Sequence, residues 1–161
     1  MLHLVDIVSI EKRSQMMAGI KAKNTKPEIL VQKILHASGF RFRLHGKTFP
    51  GKPDIVLPKH KSVIFVQGCF WHGHQMCPVF RLPKSRTDFW QEKIEGNRLR
   101  DERSRGELIR HGWKVIYVWE CAVKGRTRMC GEQLKNDISK AVRSDDIDFF
   151  EIRGLPIQPV R

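Results

Sequence analysis

Acidic residues, cysteines and long apolar runs are all scarce in this chain, and each shortage excludes something. No segment approaches the roughly 18 consecutive apolar residues of a membrane-spanning helix, so no membrane role is expected. The apolar start, MLHLVDIVSI, has no basic leading region and no small-residue cleavage site, and Asp6 interrupts it. It does not read as a secretion signal, and a cytoplasmic protein is expected. Four cysteines, at 69, 77, 121 and 130, are too few to staple a chain of 161 residues as a disulfide scaffold. Closely spaced Cys and His without a secretion signal read instead as metal ligands. Internal repeats and low-complexity segments are absent. The length fits one domain over residues 1–161, with an N-terminal helix or arm at 1–20 and a C-terminal tail at 145–161.

The acidic shortage is the most informative. Seventeen Asp and Glu face thirty Lys and Arg, a net charge of +13 that attracts polyanions, nucleic acid first among them. Arg81, Lys84, Arg86, Lys93, Arg98, Arg100, Arg103 and Arg105 crowd into 25 residues that also hold Phe89 and Trp90. Clustered cations with interleaved aromatics suit phosphate contact combined with base stacking or wedging.

What the chain does have in concentrated form is the stretch Ser62–Cys77, SVIFVQGCFWHGHQMC. Val63 to Val66 form a β-branched and aromatic run short enough for a buried strand, and Gly68 ends it. Cys69, His72, His74 and Cys77 then follow within nine positions, separated by Phe70 and Trp71. Around this stretch the periodicities predict helices over 9–20 and from Thr25, where Thr25 and Glu28 have capping-box spacing and Pro27 lies in the first turn. Ile29, Leu30, Ile34 and Leu35 supply an apolar face, and Gly39 stops the helix. Strands are expected over 40–44, 54–57 and 113–119, and helices over 87–111, with breaks at Gly96 or Gly106, and 132–144. The strands at 54–57 and 63–66 pair as a hairpin that brings Asp54 beside Val66 and Gln67. The fold class is α/β, a mixed central sheet flanked by helices.

Cys69, His74 and Cys77 supply three ligands of a tetrahedral zinc site, and Cys121 can supply the fourth. His72 competes at Cys-x2-His spacing, and Cys130 competes with Cys121. Asp54 starts a strand next to a second strand's exposed carbonyls, where a carboxylate can hold Mg²⁺ beside a scissile phosphate. An imidazole at His72 that is not a ligand can serve as general base, oriented by Asp101. Glu28 reads either as the cap partner of Thr25 or as an acid that accepts from metal-bound water.

Four segments, Phe49-Pro-Gly-Lys-Pro-Asp54, Val63 to His72, Arg86 to Lys93 and Val118-Trp-Glu-Cys121, closely resemble the very short patch repair DNA mismatch endonucleases in order and spacing over about residues 10–145. The resemblance implies a restriction-endonuclease-like fold with a structural zinc site, and Mg²⁺-dependent nicking of double-stranded DNA 5′ of the thymine in a T:G mismatch. Such mismatches arise when 5-methylcytosine deaminates, so a cytosine-5 DNA methyltransferase and repair proteins are implied partners, in the nucleoid of a prokaryote. By the same likeness Asp54 and the Val66 carbonyl hold Mg²⁺, His72 is the catalytic histidine with Asp101 as its partner, and Glu28 orders water. Cys69, His74, Cys77 and Cys121 match the zinc ligands. Phe70, Trp71 and Trp90 match the aromatics that wedge into DNA, Lys93 and Asn97 face the mismatched pair, and the helix around Met17 grips the other groove. Gln67 stands where familiar members carry a histidine, and glutamine cannot take a proton at neutral pH. The alternative function is a zinc-stapled DNA-binding protein without catalysis, which would need neither Asp54 nor His72.

Overall fold

The computed structural model describes residues 9–18 and 23–157, with the side chains of Ile10, Arg13, Met16 and Met17 left outside the description. Ser9 caps helix α1 (Ile10–Ala18), its hydroxyl accepting the Lys12 amide at 3.2 Å. Helix α2 (Lys26–Ala37) begins as its sequence requires: the Thr25 side chain accepts the Glu28 amide, and Pro27 sits in the first turn. Its buried stripe is Glu28, Val31 and Leu35, rotated from the expected face, so Ile29 and Leu30 remain exposed while Ile34 packs at the core's edge.

The strand expected over 40–44 shrinks to β1 (Arg43–Leu44). The cause is local: the amide of Phe40 is consumed by the Leu35 carbonyl as α2 closes, and its ring drops into the core. Strand β2 (Ile55–Leu57) pairs antiparallel with β1 and with β3 (Ser62–Gln67), in the expected hairpin. Strand β4 (Lys114–Trp119) then runs parallel to β3 over six residue pairs, from Ser62 with Lys114 to Gln67 with Trp119.

Between β3 and β4 the chain crosses over through α3 (Thr87–Arg110), 24 residues without a break. Gly96 and Gly106 each cost about 1 kcal/mol of helix propensity relative to alanine. Burial of Leu108 against the sheet and of Ile94 against the loop at Gly73 outweighs that cost and holds one continuous rod. Two elements escape a reading by periodicity. Helix α4 (Glu120–Val123) is a single turn directly after β4. Part of the expected tail is β5 (Phe149–Ile152), parallel to β4. Helix α5 (Gly131–Arg143) is capped by Cys130, whose sulfur accepts the Gln133 amide.

The result is a five-stranded mixed sheet in order β1-β2-β3-β4-β5 with helices on both faces. Alternation along β4 divides the core. Ile116 and Val118 join Val31 and Leu35 of α2 and Leu134 and Ile138 of α5, while Val115, Tyr117 and Trp119 face Leu108 of α3. Among the described residues no helix is long and apolar enough to cross a membrane.

Candidate active site and metal centre

The hairpin delivers Asp54 to the end of β3, where its Oδ2 accepts the Val66 amide at 2.7 Å. Burial pushes the Asp54 carboxyl up to about 6, against the lowering effect of that amide, and the nearby negative charge of Glu28 raises it further. Glu28 itself is almost fully buried, with Oε2 accepting the Asn24 amide at 2.8 Å and Oε1 the Thr25 hydroxyl at 3.1 Å. The structure shows the cap reading of Glu28, and the cap also places its charge near Asp54. A cavity of about 560 Å³ runs along this edge, lined by Glu28, Val66, Gln67, Phe70, Trp71 and Glu120.

Past Gly68 the chain turns through the loop that carries the remaining chemistry. His72 Nδ1 lies 2.6 Å from Asp101 Oδ2, both side chains being roughly 30% exposed. A carboxylate on Nδ1 fixes the ring's orientation and directs the Nδ1 proton inward, leaving Nε2 as the acceptor. Gly73 follows with φ +56°, and a Cβ there would meet Ile94 Cγ2 at 2.5 Å and Arg98 Cδ at 2.8 Å, so only glycine lets the loop lie this close to α3. Gln67 is buried away from solvent. Its Oε1 has no partner among the described residues.

Donor atoms of Cys69, His74, Cys77 and Cys121 all lie within 4.8 Å of one another. His74 Nδ1 is 3.5 Å from Cys69 Sγ and 3.6 Å from Cys121 Sγ. Zinc bonds of about 2.0–2.3 Å at tetrahedral angles give an S···N separation of about 3.6 Å, so this donor set fits such an ion. The spacing leaves His72 and Cys130 outside the cluster: His72 is paired with Asp101, and Cys130 is an exposed helix cap. The hydrogen bond from Cys69 holds the Cys121 thiol below its ordinary range, aided by His74 and by the Gly154 amide at 3.3 Å, and sharing that proton pushes Cys69 up. His74 stacks on Trp119 with ring centroids 3.8 Å apart, which fixes its ring plane. Glu120 Oε2, one residue before Cys121, accepts the Cys69 amide at 3.3 Å and ties the loop to the end of β4.

The same loop builds an aromatic cluster on the α3 side. Phe70 lies 5.1 Å from Trp71 and 5.4 Å from Trp90, and the two tryptophans are 6.0 Å apart. Lys93 Nζ stands 5.7 Å from the Trp90 ring centroid and 5.8 Å from that of Trp71. These rings are only half-buried, unlike Trp119 in the core. Asn97 is tied into the same cluster: its Nδ2 donates to the Trp71 carbonyl at 2.8 Å, and its Oδ1 accepts from Arg100. The side chain of Met17 falls outside the described residues.

Sequence patterning does not single out two further contributors, Tyr117 and Glu120. Tyr117 reads as one more residue of an apolar strand, yet its hydroxyl reaches the Asp101 carbonyl at 3.4 Å. Glu120 lies inside the matching segment Val118 to Cys121, and that position is the signal that could have marked it.

Comparison with known proteins agrees with this geometry. A family model described as DNA mismatch endonuclease Vsr matches residues 5–77. The type II nicking enzyme V.XorIIP of Xanthomonas oryzae pv. oryzae is 51% identical over 118 residues, 73% of this chain and 86% of that protein. The type II nicking enzyme V.NmeAIP of Neisseria meningitidis serogroup A is 50% identical over 131 residues, 81% of this chain and 92% of that protein. The DNA mismatch endonuclease Vsr of Escherichia coli is 40% identical over 131 residues, 81% of this chain and 83% of that protein. With relatives of 40–51% identity over most of its length, the chain belongs to the Vsr family of DNA mismatch endonucleases.

Proposed function

We propose that this DNA mismatch endonuclease nicks double-stranded DNA on the 5′ side of the thymine in a T:G pair, with Mg²⁺ in the active site and Zn²⁺ in the Cys/His cluster. The observation that carries the reading is Asp54: a carboxylate in a half-buried position next to a second acid is destabilised as an anion, and a cation beside it would relieve that cost. Asp54 and the Val66 carbonyl are the residues that would hold Mg²⁺, with Glu28 ordering its water. When bound, the ion lowers the pKa of that water and neutralises charge on the scissile phosphate.

The chain's own groups do the rest. One P–O bond forms to a water oxygen and one P–O bond to the bridging oxygen breaks. His72, held by Asp101, takes or gives the proton through Nε2. Phe70, Trp71 and Trp90 insert beside the mismatch, because a wobble pair stacks poorly and deforms at lower cost than a matched pair. The basic face of α3 supplies phosphate contacts, and Lys93 meets the mismatched pair's edges. The sheet with Asp54 at the end of a hairpin supports a restriction-endonuclease-like assignment. T:G pairs from 5-methylcytosine deamination require a cytosine-5 methyltransferase upstream and strand-resynthesis proteins downstream. The test is strand-specific cleavage of a labelled duplex with one T:G pair, with Mg²⁺ or chelator, beside a C:G control in several flanking contexts. A Mg²⁺-dependent nick confined to the T strand supports the reading, and equal cutting of the control overturns it.

A further inference from the structure

His72 is gripped three times by one face of α3. Its ring is held by Asp101 at 2.6 Å. The peptide carbonyl that precedes it, that of Trp71, accepts Asn97 Nδ2 at 2.8 Å. The residue that follows it, Gly73, is packed on Ile94 and Arg98 with no room for a side chain. Asn97 and Asp101 are four residues apart, so they stand one above the other on the helix, about 6 Å apart along its axis. The Trp71–His72 peptide plane and the imidazole are thus fixed by consecutive turns of a single rod. Lys93, one turn further toward the N-terminus, stands over the rings of Trp71 and Trp90.

We infer that Asn97 is a positioning residue: by holding the Trp71 carbonyl it makes the aromatic wedge and His72 one rigid unit, so that ring insertion sets the histidine's place. This deepens the proposed function and rests on it for the identity of the substrate. The likeness to the family assigns Asn97 to the mismatched pair, but one of its two amide N–H groups is already bonded to the Trp71 carbonyl, and its Oδ1 is engaged by Arg100. The amide therefore holds the loop whether or not its second N–H meets a base edge.

Asn97→Asp separates the two roles without changing shape, since it keeps an acceptor for Arg100 but has no donor for the Trp71 carbonyl. Asn97→Ala removes both, and Asn97→Gln restores a donor on a longer arm. If Asn97 positions His72, the single-turnover nicking rate on a T:G duplex falls about 10- to 100-fold in the Asp and Ala variants, because displacing a catalytic group by about 1 Å costs that much. Affinity for the same duplex stays within about threefold, the preference for T:G over C:G is kept, and the Gln variant regains part of the rate. In DNA-free protein the near-UV signal of the Trp71–Trp90 pair changes, and the His72 amide, bonded to the Gly68 carbonyl at 3.2 Å, exchanges faster. An unchanged DNA-free signal together with lost T:G preference would mean that Asn97 acts on the base alone and would overturn the inference. So would a full nicking rate in Asn97→Asp. If the wild-type protein nicked no T:G duplex, the proposed substrate would fall, while the exchange and near-UV measurements on free protein would still decide whether Asn97 holds the loop.

Discussion

Two groups of donor atoms lie side by side at the C-terminal end of β3, and they are built on opposite principles. The Cys69, His74, Cys77 and Cys121 cluster brings four donors within 4.8 Å of one another, stacks its imidazole on Trp119 and lies mostly buried. With every position filled by protein, it can hold a metal but offers no place for a substrate. Asp54 has one oxygen on the Val66 amide and a second acid close by, and Val66 and Glu28 line a neighbouring cavity of about 560 Å³. It offers hard oxygen donors and room for water, as Mg²⁺ prefers. From this contrast the working of the loop follows. The closed cluster, through Cys69 and Cys77, fixes both ends of residues 69–77, and the α3 contacts fix the stretch between them.

The most direct challenge to this division of labour is to remove the open site's anion. Asp54→Ala should reduce nicking by at least about 10³-fold, the several kcal/mol that a bound metal supplies to the transition state. Binding of the T:G duplex should be kept, because the wedge and basic face are untouched. Residual nicking at the wild-type rate, measured in single turnover, would place the metal elsewhere.

Breaking the closed cluster should act differently. In Cys121→Ala, bound zinc measured by a colorimetric chelator assay should fall well below one per chain. Thermal stability should drop with it, because metal binding energy is folding energy. Both DNA binding and nicking should decline together, since Phe70, Trp71 and His72 lie on the loop that the cluster ties down. A variant with full zinc and wild-type melting would remove Cys121 from the ligand set. Between these lies Asp101→Asn, which leaves the loop tied but orients His72 wrongly. It should cost about 10²-fold in nicking with duplex affinity unchanged, comparable to losing an orienting partner at other sites. Unchanged rates would free His72 from its assigned role.

The two regions also differ in how legible they are from sequence. The closed cluster's ligand types and spacing are visible there, but the choice of Cys121 over Cys130 comes from the family likeness. Distance now explains that choice: Cys130 is an exposed cap on α5. The Thr25–Glu28 box can be read because capping chemistry is local. The rotation of α2 cannot, since Ile29 and Leu30 satisfy a 3.6-residue period as well as Val31 does, and only the packed sheet decides between them. Helix α4 is too short for any period, and β5 hides behind an acidic segment, Asp145 to Asp148, that reads as a tail. The engagement of Asn97 leaves no sequence signal at all, because its partner is a backbone carbonyl that every residue possesses.

The smallest expected effect bears most directly on the contrast between closed and open sites. In the absence of metal, Asp54 titrates near 6 when folded against 3.8 in the unfolded chain. A raised carboxylate favours folding below the unfolded value, and that contribution is lost as pH climbs through the folded value. Above about pH 6 the ionised carboxylate therefore opposes folding in the apo protein. Roughly two units correspond to an upper bound of about 3 kcal/mol, and partial exposure brings the expectation to about 2 kcal/mol. The substitution Asp54→Asn keeps an oxygen for the Val66 amide but carries no charge. In chelator at about pH 7.5 this variant should melt roughly 4–8 °C above wild type, a difference that vanishes below about pH 4. Adding Mg²⁺ at the same pH should raise the wild-type melting temperature and leave the variant's alone, because only the charged site gains from the cation. The same addition should not replace zinc in the Cys/His cluster, whose thiolates favour the softer ion. A wild-type protein indifferent to Mg²⁺, or an Asp54→Asn variant no more stable in chelator, would mean that Asp54 is an ordinary structural acid and that the open site is not built for a cation.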